Sequence, residues 1–132
     1  MAQNAVRFEL YHDGQAVELR SMDPLDEAVV PASDELEPIG YHGFWFELRD
    51  DDDRVLYRKV VHSPIRLYDE VFDEYTRRPS IRPRPSAQGW FWLTAPHIPE
   101  ATSLVLHSSP LDPLEYRTAA RELVRFPIRS AR

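Results

Sequence analysis

The 132-residue chain has no cysteine, four glycines and a single lysine, Lys59. No apolar run approaches the roughly 18 residues that a membrane span needs. Each absence removes a class of function. Without cysteine there is no disulfide framework and no thiolate metal or redox site, a composition that fits a reducing cytoplasm. The glycines, Gly14, Gly40, Gly43 and Gly89, stand in no phosphate-cradling arrangement, which argues against nucleotide binding. The opening MAQNAVRFELYHDG lacks a charged segment followed by an apolar one, so no export signal is expected. Cationic excess is missing too: 16 Lys and Arg stand against 22 Asp and Glu, for a net charge of -6. Nucleic acid and anionic membranes both call for a basic footprint, and neither is an expected partner.

What remains is an ordinary globular balance, 42% hydrophobic and 29% charged, in a length that suits one domain spanning residues 1 to 132. Apolar and polar residues alternate through VRFELY (6 to 11) and AVEL (16 to 19) about the pair Asp13-Gly14, which predicts a β-hairpin. YHGFWFEL and RVLYRKVVH predict a second, longer hairpin about Asp50, Asp51, Asp52 and Asp53, because aromatic and β-branched residues suit a half-buried pleated surface. Between them, residues 23 to 38 carry acids, prolines and no base, and read mostly as exposed loop with AVV as a possible short strand. IRLYDEVF (65 to 72) reads as a strand or a helical turn. Residues 77 to 89, RRPSIRPRPSAQG, read as a long connection whose prolines take no ladder partners. GWFWLTAP and SLVLHS resume strand character, and the tail through ELVRFPI is expected to make a short helical turn and then a closing strand.

About seven strands at turn-punctuated intervals, with at most a short helix near the C-terminus, predict an all-β immunoglobulin-like antiparallel β-sandwich. The two first hairpins echo one another: Phe8, Glu9, Leu10, Asp13, Val17 and Arg20 match Phe46, Glu47, Leu48, Asp51, Val55 and Arg58 at constant offset. Two solutions to one hairpin problem account for that without duplication.

The aspartate run reads as a turn rather than a calcium site. A calcium loop alternates its ligands, bends at a glycine and ends in a bidentate glutamate, whereas RVLYRKVV follows here at once. Aspartate suits tight turns because it tolerates left-handed backbone and bonds the turn's own amides. Five histidines, His12, His42, His62, His97 and His107, include no close pair or HExxH, and zinc asks for at least three convergent donors. Ser63, Ser108 and Ser109 lie near histidines but without a GxSxG turn. No catalytic, metal or cofactor residue is therefore assigned.

Two features point to binding. In Phe44-Trp45-Phe46 and Trp90-Phe91-Trp92 neighbouring rings must point to opposite faces, so either Trp45 or the pair Trp90 and Trp92 is exposed or covered by a loop or partner. Charge is segregated as well, residues 23 to 37 carrying only acids and 77 to 86 only bases. These segments either steer partners and pair between copies, or neutralise one another within one molecule. The candidate binding residues are Arg77, Arg78, Arg82, Arg84, Trp90 and Trp92.

The stretch GFWFELRDDDDRVLYRKV resembles a hairpin of bacterial immunoglobulin-like and fibronectin-type sandwiches, in which an aromatic strand ends in an Asp-rich turn. It is also similar to the accessory β-sandwich domain of M64-type metallopeptidases. That resemblance implies a non-catalytic accessory module, since the peptidase's HExxH is missing. With Met1 at its start and a last strand near its end, the chain is expected to be free-standing. The expected function is a protein-binding or assembly module, with a protein partner or further copies of itself. The alternatives are a carbohydrate-binding module, which requires coplanar exposed aromatics, and a small hydrolase, which requires a pocket of converging carboxylates or histidines.

Overall fold

A computed structural model describes residues 4–35, 41–65, 68–83, 88–111 and 118–128. It is all-β, and no helix occurs among the described residues. The strands are β1 (Ala5–His12), β2 (Val17–Leu25), β3 (Phe44–Arg49), β4 (Val55–Val61), β5 (Tyr68–Asp73), β6 (Arg78–Pro83), β7 (Gly89–Pro96), β8 (Ser103–Ser108) and β9 (Arg121–Pro127). All pairings are antiparallel. The order is β2-β1-β7 in one sheet and β4-β3-β8-β9 in the other, while β5 and β6 form a two-stranded sheet with no further strand partner among the described residues.

The two larger sheets pack their apolar faces together. Alternation dictates which side chains meet: Val6, Phe8 and Leu10 of β1 and Phe91, Leu93 and Ala95 of β7 are buried, with Arg7, Glu9 and Tyr11 on the opposite face. Across from them lie Phe44, Phe46 and Leu48 of β3 and Leu104 and Leu106 of β8, in the same cluster. Phe44 meets Phe91 edge-on, with ring centroids 6.5 Å apart, joining one sheet to the other. Burying each such Phe or Leu contributes about 1.5–3 kcal/mol. The hairpin echo is visible in space, since Phe8 and Phe46, and likewise Leu10 and Leu48, all turn into this core.

Several expectations need correction. Within the acidic stretch β2 runs through Leu25, residues 26–35 are loop, and residues 28–30 form no strand. ELVRFPI does close the fold, as β9. The expected helical turn falls largely on residues 112–117, outside the described residues. The largest difference concerns the arginine and proline segment: Arg78–Pro83 is a strand rather than a long loop, with Pro79 opposite Phe72 and Pro83 opposite Tyr68. The physical reason is parity. Pro79 and Pro83 are four residues apart, so both ring nitrogens face the same side, and β6 has one strand neighbour among the described residues. Proline is tolerated where its nitrogen can face away from the ladder. Seven strands lie in the two larger sheets, the IRLYDEVF stretch takes its strand reading as β5, and β6 is the strand the sequence reading left as loop.

The aspartate segment is a turn. Asp50 Oδ1 accepts the backbone N–H groups of Asp52 and Arg54, each at 2.9 Å. Asp53 sits at φ 61°, left-handed backbone that aspartate adopts more readily than most residues. The Asp13 turn uses the same device, its Oδ1 accepting from Gln15 and Ala16 at 2.8 Å.

Candidate functional site

Trp90 and Trp92 stand on the outward face of β7 and remain 51% and 55% exposed, whereas Phe91 and Leu93 between and beside them are buried. Trp45 is 1% exposed. The choice left open by alternation is thereby resolved: β3 is covered on both faces and β7 on one.

Two residues that sequence reasoning missed complete the aromatic face. Tyr11 is the β1 partner of Trp90 in the ladder, and their rings lie 4.9 Å apart at 55°. In the β1–β2 ladder Glu9 pairs with Ser21 and Leu10 with Leu19, so Arg20 is the extra residue of a bulge. Its guanidinium carbon lies 5.3 Å from the Tyr11 ring centre and 5.8 Å from that of Trp90. The cation is held over the rings by their negative faces, and by an exposed 3.0 Å pair with Glu18. The signal for Tyr11 was the alternation of VRFELY; the bulge that brings in Arg20 has no comparable signature.

The arginines lie in a different element. Arg77 closes the β5–β6 turn at φ 54° and is exposed together with Arg78, close in sequence to Tyr75, which is 99% exposed. Arg82 lies opposite Asp69 in the β5–β6 register. Arg84 lies outside the described residues. Arg77, Arg78 and Arg82 therefore belong to the β5–β6 ribbon and the two tryptophans to β7, separate elements.

The acidic segment has a structural occupation. Asp34 N–H donates to the Arg58 carbonyl at 2.7 Å, and its carboxylate accepts the Val60 N–H at 2.8 Å and pairs with Lys59 at 3.3 Å. The hydrogen bond from Val60 is the main reason its carboxyl titrates below the usual aspartate range. Ser33 Oγ accepts the Arg58 N–H at 3.0 Å, and Tyr57 donates its hydroxyl to the Pro31 carbonyl at 2.9 Å. Residues 31–34 thus cover the outer edge of β4.

On the outward face of the four-stranded sheet lies a buried charge. Glu47 is 1% exposed; its Oε2 accepts from Trp45 Nε1 at 3.0 Å and from Arg58 Nε at 2.7 Å, and its Oε1 from Arg49 Nε at 2.8 Å. Burial alone would raise its pKa, but the hydrogen bonds from Arg58, Arg49 and Trp45 more than offset that and hold it below the ordinary glutamate value. Arg49 continues to Asp53 at 3.1 Å, and Asp53 to Arg125 at 2.7 Å. Asp50 accepts two backbone N–H groups and shares Arg54 with Asp52, at 3.3 and 2.9 Å, while Asp53 is held by Arg49 and Arg125, so these three carboxylates are taken up by backbone and guanidinium groups. This is a different arrangement from carboxylates converging on a cation.

His42, His62, Ser63, Ser108 and Ser109 line an open cavity of about 350 Å³, together with Phe44, Val61 and Ile65. His107 is not among its lining residues and stacks on Trp45 instead. Each serine hydroxyl donates to a carbonyl: Ser63 to Ile65 at 3.3 Å, Ser108 to Ser109 at 2.6 Å, and Ser109 to Thr118 at 2.6 Å while accepting the Gly43 N–H at 2.9 Å. These bonds tie strand ends together and direct the hydroxyl protons to backbone rather than to imidazole. Among the described residues no three metal-binding side chains gather, and no helix is long and apolar enough to cross a membrane. Compared with known proteins, the chain matches no family model, no curated protein and no solved structure.

Proposed function

We propose that this protein is a non-catalytic binding module that recognises another protein through the Tyr11, Arg20, Trp90 and Trp92 face, with the arginine-bearing β5–β6 ribbon as a second contact. The observation that carries this reading is the exposure of Trp90 and Trp92 on a strand whose other face is core. Tryptophan, tyrosine and arginine are the side chains that dominate protein hot spots, and here they lie side by side on a rigid sheet. The 55° tilt between Tyr11 and Trp90 favours a protein over a sugar, because a carbohydrate platform requires coplanar rings. The hydrolase alternative is disfavoured by the serine hydroxyls' bonds to backbone.

An immunoglobulin-like topology is the finer proposal. Two antiparallel sheets joined by chain crossings support it, while the central place of β1 differs from the edge place of an immunoglobulin's first strand. A cytoplasmic location is proposed on the cysteine-free composition alone.

Partner capture from the native cell, compared across three forms of the full chain, tests the reading. Trp90→Ala with Trp92→Ala should lose the partner at least tenfold, since hot-spot truncation costs about 2 kcal/mol or more. Replacing Arg77, Arg78, Arg82 and Arg84 together by serine should also weaken capture without shifting the unfolding midpoint, because the ribbon joins neither sheet. Full-strength capture by both variants overturns the proposal.

A further inference from the structure

Four strands lie at the edges of the two larger sheets, and three of them are blunted against pairing with another chain. β2 carries Glu18, Arg20, Asp23 and Pro24. β9 carries Arg121, Glu122, Arg125 and Pro127. β4 is covered by residues 31–34 through the Asp34 and Ser33 bonds. Charges, prolines and covering segments are the usual means of preventing edge-to-edge association. β7 differs. Gly89–Pro96 contains no charged residue, its only proline is the last residue, and it is bonded to β1 on one side with no other strand partner among the described residues.

We propose that the free edge of β7 pairs antiparallel with β7 of a second copy, producing a two-fold dimer with one continuous sheet across the seam. The choice of a second copy rests on self-complementarity. A two-fold contact sets the same patch against itself, so a charged edge repels its own copy. The chain's net charge of -6 opposes association generally, but that repulsion has no source within β7. Register follows from parity, because residues directly opposite in an antiparallel pair share a face. Two central registers satisfy this. One centres on Phe91 and sets Trp90 against Trp92 of the second copy; the other centres on Trp92 and sets it against its own equivalent. Either register places indoles on indoles on the outer face and continues the Phe91 and Leu93 row on the inner one. Aromatic cross-strand pairs of this kind are favourable, and the pairing would remove half-exposed indoles from water.

The dimer and the heterologous partner proposed above would compete for Trp90 and Trp92, but each is read by its own experiment. The dimer is measured on the purified full chain alone, so its failure leaves partner capture untouched, and the reverse also holds. Light scattering or sedimentation at rising micromolar concentration should show the mass moving from 15.4 kDa toward twice that value, with no loss at high salt. Trp90→Lys with Trp92→Lys, and separately Trp90→Glu with Trp92→Glu, should each be monomeric, since like charges face one another in either register. Mixing the two variants should restore a one-to-one dimer. Hydrogen exchange of the unmodified chain supplies a reading free of any folding defect: amides within 90–95 should gain at least tenfold protection with concentration while those of β2 do not. A wild-type chain that stays monomeric, a dimer that persists in both charged variants, or β7 amides indifferent to concentration overturns the proposal. So does a dimer that salt dissolves, which would assign self-association to the oppositely charged segments instead.

Discussion

The imidazole of His107 lies flat against the indole of Trp45, centroids 4.9 Å apart and planes 8° from parallel. The pair is made by register: Trp45 and His107 are direct partners in the β3–β8 ladder. His107 Nδ1 is buried, makes no hydrogen bond among the described residues, and lies 4.0 Å from Glu47 Oε1, too far to donate to it.

That geometry predicts a pH dependence near neutrality. Burial is the main cause holding the His107 pKa below the ordinary histidine value, Arg49 and Arg58 adding to it against the opposing pull of Glu47 and Glu122. A base whose folded pKa is depressed binds fewer protons folded than unfolded below its ordinary value, so stability is full above about 6.5 and is lost as pH falls below it. The unfolding midpoint should therefore drop between pH 7.5 and 5.5, and His107→Gln should flatten that part of the profile. An identical slope in the variant would refute the assignment.

Glu47 governs a second, more acidic window. Its depressed pKa means that it stabilises the fold above the ordinary carboxylate range and ceases to do so as pH falls through its folded value. Glu47→Gln leaves the Arg49 and Arg58 guanidiniums, 16% and 15% exposed, without their shared counter-charge. A loss on the order of 3 kcal/mol is expected at neutral pH, the scale for breaking a buried pair. Denaturant titration reads it, and a loss below experimental error would mean that water replaces the carboxylate.

The aspartate turn should show its asymmetry under single substitution. Asp50→Ala removes the acceptor of two backbone N–H bonds and should cost about 1–2 kcal/mol, whereas Asp51→Ala, at an exposed position, should be near neutral. Because the carboxylates of Asp50, Asp52 and Asp53 are engaged by backbone N–H groups and arginines, calcium titration should give no micromolar binding. Equal effects at both positions, or a calcium-dependent rise in melting temperature, would contradict the turn reading.

Gly89 should resist alanine. A Cβ placed there would lie 2.8 Å from His12 Nε2, and His12 is 4% exposed. Overpacking at such a site costs about 1–3 kcal/mol. Combining Gly89→Ala with His12→Ser should recover part of the loss, and a double variant no better than the sum of the two singles would place the strain elsewhere.

Sequence by itself determined the elements whose signals are local. Alternation in VRFELY and the aromatic and apolar content of FWFELR and GWFWLTAP identified strands, and Asp13 and the aspartate run announced turns because a carboxylate accepts amides from its own neighbours. Period two assigns residues to faces but does not say which faces are covered, since covering depends on chains far away in sequence. Only tertiary structure decided that Trp45 is buried under His107 while Trp90 and Trp92 face solvent. It likewise decided that Glu47 lies among Trp45, Arg49 and Arg58, and that Asp34 closes the β4 edge. β6 was hidden for a related reason: proline is a poor strand former on average, and Pro79 and Pro83 are tolerated where the strand has one neighbour among the described residues. Tertiary structure also set β7 at the end of the β2-β1-β7 order, with β1 its one strand neighbour among the described residues, which no local signal in GWFWLTAP records.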